Sequence, residues 1–344
     1  MPKSEINKTK PALRLYADVG GTNARFALGE TPGELLHVRS LACADYATLE
    51  AAIHAYLREV ESAGAVDTSR LRHAGVAIAT QVDDDMVSMT NHCWQFSRTA
   101  LQSAFNLDTL GVCNDFMALA MSLQQLSPSD KEAIGDDKLQ PRVGEPIALL
   151  GAGTGLGVSS LIPAPQGGYF PLNTEGGHVL FAPANELEVA ILRHGWQEFP
   201  HLSAERLLSG PGLERIYRAL CALRGSSSET PPDRSLAVAQ IVERARLQSC
   251  DLCVESTQLF SAMLGSFAAN LALTLGSRGG VYVGGGVVPN MREAFDKRRF
   301  RQRFEDKGRF GTYLSGIPVW LIVAPCPALL GIAHILEASL NNEA

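Results

Sequence analysis

The sequence predicts an α/β protein of two domains. Short apolar runs alternate with stretches of helical periodicity along most of the chain. An apolar strand, a glycine-rich turn and a second strand occur at 13–28 (LRLYADVGGTNARFAL) and recur at 146–161 (PIALLGAGTGLGVSSL). The 344 residues exceed one typical domain of roughly 150. A repeated supersecondary unit implies two similar halves facing one ligand.

The elements follow in order. Residues 13–19 read as a buried strand and 25–30 as its partner, with the turn TPGE after it; 37–42 form a third strand and 46–62 a helix. The runs 71–80 and 110–115 read as strands that end in polar loops, and 116–126 as the helix closing this region. Residues 127–138 are polar and turn-rich, which predicts a hinge. The second half brings the repeat at 146–161, helices within 185–275, a strand at 280–286, a strand at 317–325 and a final helix at 327–340.

Composition bounds the partners. The chain is 46% hydrophobic and 19% charged, which is globular composition. A net charge of −6, with Lys297-Arg298-Arg299 as its densest basic cluster, leaves no footprint for nucleic acid. No run of 18 apolar residues occurs, so no membrane partner is expected. The N-terminal MPKSEINKTKP lacks an apolar core and reads as a frayed tail, not a signal peptide. Seven cysteines, an odd number, fit a cytoplasmic protein. The CxxC pair Cys250/Cys253 has no second pair and reads as two thiols on a helix.

Eleven of the 32 glycines fall in four clusters: DVGGTN, GAGTGLG, EGGH and VGGG. GAGTGLG fails the dinucleotide fingerprint, because the sixth position is Leu156 or Val158 depending on the register. No GK[ST] occurs, which excludes a P-loop, and no HExxH or GxSxG supports a zinc protease or an α/β-hydrolase. What remains is a hairpin turn whose backbone N–H groups face a phosphate, with glycine supplying positive φ and close approach. Thr22, Asn23 and Thr154 add donors. One such turn alone reads equally as a tight hairpin; two copies and a third cluster point to nucleotide phosphate.

Four polar groups attend these turns. Asp18, before the first turn, is placed to hold Mg²⁺ through water, and reads also as a turn cap. Asn114-Asp115 stands where a strand gives way to a helix, a position that suits both a cap and a base for a hydroxyl proton. Glu175 and His178 flank paired glycines and suit the hydroxyls of a polyol. Glu205 alone reads as a carboxylate in the first turn of a helix. Asn91-His92 has no role assigned by the sequence.

Taken together the motifs resemble the bacterial glucokinase family, of the proteobacterial type outside the ROK group. The similarity runs from about residue 13 to 340 through DVGGTNARFAL, MTNHCW, NDF, GAGTGLGV, EGGHVLFAP, ERLLSGPGLERIYRA, GGVYVGGGVVP, FEDKGRF and IPVWLIV. The resemblance implies the duplicated actin-like ATPase (ribonuclease H-like) fold, with two α/β domains around a cleft. A small domain would span 1–125, with the helix 326–344 packing back on it, and a large one 126–325. It implies phosphorylation of glucose at the 6-hydroxyl by MgATP, in a homodimer. Asp115 is then the catalytic base, and Asn114, Asp115, Glu175, His178 and Glu205 are the glucose ligands. Asp18, Gly20, Gly21, Thr22, Asn23, Gly151, Gly153 and Thr154 surround the phosphates, Asp18 reaching the metal through water, and Gly284, Gly285 and Gly286 lie near adenosine.

Three stretches depart from the family pattern: Asn173-Thr174 for Pro-Gly, Ala79-Thr80-Gln81 for Ala-Cys-Pro, and Cys326-Pro327-Ala328 for Asn-Pro-Gly. A ROK-type kinase or repressor predicts an N-terminal helix-turn-helix or a CxCGxxGC motif, and neither is found. A kinase for a related hexose, such as fructose, mannose or an amino sugar, fits the same residues.

Overall fold

The computed structural model describes residues 11–64, 66–89, 92–224 and 235–343. These form two compact units, Met1–Leu126 with Pro325–Ala344 and Ser127–Ala324.

The first unit opens with a hairpin of β1 (Leu13–Val19) and β2 (Asn23–Gly29), followed by β3 (Leu36–Ala42), α1 (Leu49–Ser62) and β4 (Leu71–Ile78). The short pair β5 (Met86–Ser88) and β6 (Gln95–Ser97), α2 (Arg98–Ala104), β7 (Thr109–Asn114) and α3 (Asp115–Ser122) complete the run. The main sheet has the order β3-β2-β1-β4-β7. Its first two pairings are antiparallel and its last two parallel. Alternation along β1 sends Leu13, Leu15, Ala17 and Val19 into one core with α1, whose buried Leu49, Ala52, Ile53, Tyr56 and Val60 follow helical spacing. The Thr48 hydroxyl caps α1 by accepting the Ala51 N–H at 3.1 Å.

The second unit contains β8 (Lys131–Ala133), β9 (Ile147–Ala152), β10 (Leu156–Pro163), β11 (Tyr169–Thr174), α4 (Glu186–Gly195), α5 (Gly210–Arg224), α6 (Val238–Arg246) and α7 (Asp251–Leu275). Then come β12 (Val281–Gly284), α8 (Val287–Met291), α9 (Lys297–Glu305), α10 (Gly311–Ser315) and β13 (Val319–Ile322). The sheet order is β11-β10-β9-β12-β13-β8. Apart from β8, the sequence of antiparallel and parallel pairings repeats that of the first unit. One continuous core joins this sheet to α5, α7 and α9.

The last helix, α11 (Pro327–Glu343), belongs to the first unit. Leu329, Ile332, Ala333 and Leu336 cover the other face of its sheet, against Tyr16, Ala27 and Ala77. The approach to α3 is close, for a β-carbon at Gly331 would stand 1.7 Å from the Ala118 carbonyl oxygen.

Several elements differ from expectation. The segment 127–138 contains the edge strand β8, paired antiparallel with β13, where a hinge was expected. Its three residues have no apolar alternation; Lys131 instead lays its ammonium 4.7 Å from the Trp320 ring centre. The 110–115 strand ends at Asn114, and Asp115 opens α3. The 280–286 strand ends at Gly284. By length and composition α7 is apolar enough to cross a membrane, but 56% of that stretch is buried. A β-carbon at its Gly265 would stand 2.2 Å from the Phe300 carbonyl oxygen, the contact of a core helix.

Candidate active site

In the first unit the parallel strands β1, β4 and β7 end together. Val19 pairs with Ile78 and Ile78 with Asn114, so Asp18, Thr80 and Asn114-Asp115 share one edge of the sheet. Ligands of open α/β sheets dock at such carboxyl ends. The turn joining β1 to β2 is closed by the Gly20 N–H donating to the Asn23 carbonyl at 3.0 Å. From outside the hairpin, the Cys43 N–H donates to the Thr22 carbonyl at 2.9 Å, and its thiol to the Gly20 carbonyl at 3.4 Å.

Hairpin register sets Asp18 directly opposite Arg25, and the Arg25 guanidinium donates to the Asp18 carboxylate at 3.2 Å. The sequence reading missed this cation. Residues equidistant from a two-stranded turn face each other, and that rule was the available signal. Asp18 is only 13% exposed. Burial raises its carboxyl above the ordinary carboxylate range, and Arg25 offsets part of the effect. A native pKa above the unfolded value makes stability fall as pH rises from about 4 through the native value. Asp18→Asn should therefore melt at a higher temperature than the parent at neutral pH and match it below about pH 4. An equal or lower neutral-pH melting temperature would contradict this assignment of the buried charge.

At the end of β7 the cap belongs to Asn114. Its Oδ1 accepts the N–H of Phe116 at 2.9 Å and of Met117 at 3.3 Å, while Nδ2 donates to the Thr80 carbonyl at 3.1 Å. That leaves Asn114 one amide hydrogen for a ligand. Asp115, relieved of capping, is the first residue of α3, and its Oδ1 accepts the Phe116 N–H at 2.9 Å.

In the second unit three glycine clusters meet. Gly151 pairs with Gly157 on one side and Gly284 on the other, so β10, β9 and β12 bring glycines side by side. A β-carbon at Gly177 would stand 1.9 Å from the Leu156 carbonyl oxygen, and one at Gly285 would stand 2.4 Å from that of Ala152. The helix α5 begins here as well, its Gly210 N–H donating to the Gly153 carbonyl at 2.8 Å.

Glu205 joins two of these clusters. Its Oε2 accepts the Leu156 N–H at 2.9 Å, and its Oε1 lies 4.0 Å from His178 Nδ1. A β-carbon at Gly155 would stand 2.4 Å from that carboxylate. Glu205 sits in a single 3-10 turn, Ala204–Arg206, so its partner is the glycine turn. His178 is 62% exposed, and its carbonyl lies 3.0 Å from His201 Nε2. Glu175, also exposed, precedes the same bend. The Thr174 hydroxyl donates to the Val158 carbonyl at 2.9 Å and accepts the Gly176 N–H at 3.3 Å, pinning the bend to β10.

The glycines act differently from the expectation drawn on their type. Gly20, Gly21, Gly151 and Gly153 are absent from the positive-φ positions; Gly285, at φ 80°, is the one member of the four clusters there. What most of these glycines provide is a missing side chain. At Gly155, Gly177 and Gly285 the space is taken by the chain's own atoms, and at Gly153 a β-carbon would meet nothing within 4 Å. Thr90 and Asn91 lie outside the described residues, although His92 stacks edge-on to Trp94.

Among the described residues no group of three His, Cys, Asp or Glu side chains is placed to hold a metal ion. Asp18 offers a single carboxylate, which suits a Mg²⁺ that arrives on nucleotide phosphates and keeps its waters. A cavity of about 740 Å³ in the second unit touches none of the candidate site residues; it is lined by Gln248, Thr257, Val288, Pro289, Arg292 and Lys297, among others.

The elements and these residues define an α/β protein with two sheet-bearing lobes, consistent with the actin-like ATPase/glucokinase fold. The chain belongs to the glucokinase family, whose model, described as "Glucokinase", matches residues 15–339. It is 47% identical over 339 residues to the "Bifunctional protein glk" of Burkholderia thailandensis, covering 98% of this chain and 51% of that protein. The chain thus spans about half the length of that relative. It is 47% identical to the "Glucokinase" of Chromobacterium violaceum, covering 94% of this chain and 89% of that one. Among solved structures, a glucokinase from an Antarctic psychrotroph is 32% identical with a TM-score of 0.80, covering 95% of this chain and 99% of that chain.

Proposed function

We propose that this chain transfers the γ-phosphoryl group of MgATP to the 6-hydroxyl of D-glucose, giving glucose 6-phosphate, the first step of glycolysis. Membership of the glucokinase family over residues 15–339 carries this reading. Glu205 bonded to the 151–157 turn beside His178, with Gly284 paired to Gly151, supports it from the geometry.

In this reading Asp115 takes the 6-hydroxyl proton as that oxygen bonds to phosphorus. Asn114, through its remaining amide hydrogen, and Glu175, His178 and Glu205 bind the sugar hydroxyls. Gly20, Gly21, Thr22 and Asn23, with Gly151, Gly153 and Thr154, receive the phosphates, and Gly284, Gly285 and Gly286 adjoin adenosine. Asp18 would hold the Mg²⁺ of MgATP through water, and the ion would offset charge on the phosphates. The transition state of phosphoryl transfer is loose, so placement and electrostatics supply most of the acceleration. Asp18 stays usable as an anion because Arg25 faces it, although burial works against the charge.

The finer reading is a cytoplasmic homodimer of the non-ROK, proteobacterial type, with two halves derived by duplication. The matching order and direction of strands in the two sheets supports the duplication. A coupled assay of ADP release across glucose, fructose, mannose and an amino sugar tests the reaction. Release that depends on glucose is expected, and its absence with glucose would overturn the proposal.

A further inference from the structure

The CxxC pair has no part in the proposed reaction. Cys250 is the N-cap of α7, with extended backbone at φ −152° and ψ 111°, and Cys253 lies one turn in. Side chains three residues apart meet on one face of a helix. Cys250 and Cys253 hold the N-cap and third positions of the helix on that face. Cys250 is partly exposed and Cys253 is fully buried, and both are free thiols.

We infer that Cys250 and Cys253 form a reversible dithiol–disulfide site that takes a low-molecular-weight disulfide, such as glutathione disulfide, as its oxidant. The Cys250 thiolate attacks one sulfur of the oxidant and expels the first small thiolate. The Cys253 sulfur then gives up its proton and attacks Cys250 Sγ, and the second small thiolate leaves and takes that proton. Two electrons pass from the pair to the small disulfide, which ends as two thiols. Burial pushes the Cys253 thiol up to about 12, so the exposed partner attacks first and the buried one resolves. Cys221, buried on α5, acts electrostatically on Cys253 and is the competing partner that the test must separate.

The test uses the full chain in neutral buffers of graded reduced-to-oxidised glutathione ratio, quenched, alkylated and digested with trypsin. Arg246 and Arg278 bound a peptide that carries both cysteines. That peptide is expected to lose two hydrogens and both alkylation sites as the ratio falls, and to regain them with a dithiol reductant. Cys253→Ser should trap glutathione on Cys250, and Cys250→Ser should leave Cys253 without an adduct. Retention of both thiols at every ratio would overturn the inference, as would an adduct on Cys250 that never resolves in the parent chain. A cross-link between this peptide and the one carrying Cys221 would overturn it too. The native-chain arm needs no variant to fold.

Discussion

Asp115→Asn should lower kcat by about 10²–10⁴-fold, the usual range for losing a positioned general base. The glucose KM should change far less, because the amide keeps the size of the carboxylate and the other proposed sugar ligands are untouched. The fold should survive. Asn114 supplies the N-cap of α3 and is unchanged, and the lost first-turn charge is worth up to about 1 kcal/mol. Steady-state kinetics with a thermal melt separates the two effects. Turnover close to the parent value would show that another group takes the hydroxyl proton.

Gly177→Ala should cost stability and activity together. The new methyl would stand 1.9 Å from the Leu156 carbonyl oxygen and 3.0 Å from its carbon. Both are backbone atoms, so no side chain can rotate aside and the EGGH bend must part from the β9–β10 turn. Overpacking of this kind costs about 1–3 kcal/mol. At about 2–4 °C per kcal/mol for a unit of this size, the melting temperature should drop by several degrees. Gly153→Ala is the informative contrast. Its methyl would meet nothing within 4 Å, and residue 153 has no positive φ, so stability should hold. If the open face of Gly153 receives phosphate, the KM for MgATP should rise all the same. An unchanged KM would remove that turn from the phosphate site.

How much of this was legible beforehand depended on the reach of each signal. β1 was read to its ends, 13–19, because both faces of that strand pack on a core, so five of its seven residues are buried apolar side chains. The edge strand β11 was missed. Phe170 and Leu172 point to solvent there, so its pattern does not mark a core. β5, β6 and β8 have three residues each, too few for any period. In the site, the residue types and their neighbourhoods were visible, but their bonds were not. Glu205 read as a helix-end carboxylate because its partner, the Leu156 N–H, lies 49 residues away. Asn114 and Asp115 read alike until the backbone put one in the cap and the other in the helix. Thr174 departs from the family pattern, yet its hydroxyl bonds to both sides of the bend.

The return of α11 to the first unit bears on the order in which the chain acquires its shape on the ribosome. Residues 127–324 form one contiguous stretch and have all their own core partners once Ala324 has emerged. The first unit is made earlier but finishes later. One face of its sheet waits for Leu329, Ile332, Ala333 and Leu336, which are translated only after the whole of the second unit. Domains of a nascent chain generally fold as units, N-terminal ones first, and transiently exposed apolar faces invite aggregation. Here that order is reversed for the half that carries Asp115. Until α11 has emerged, the uncovered face of its sheet is an apolar surface open to aggregation.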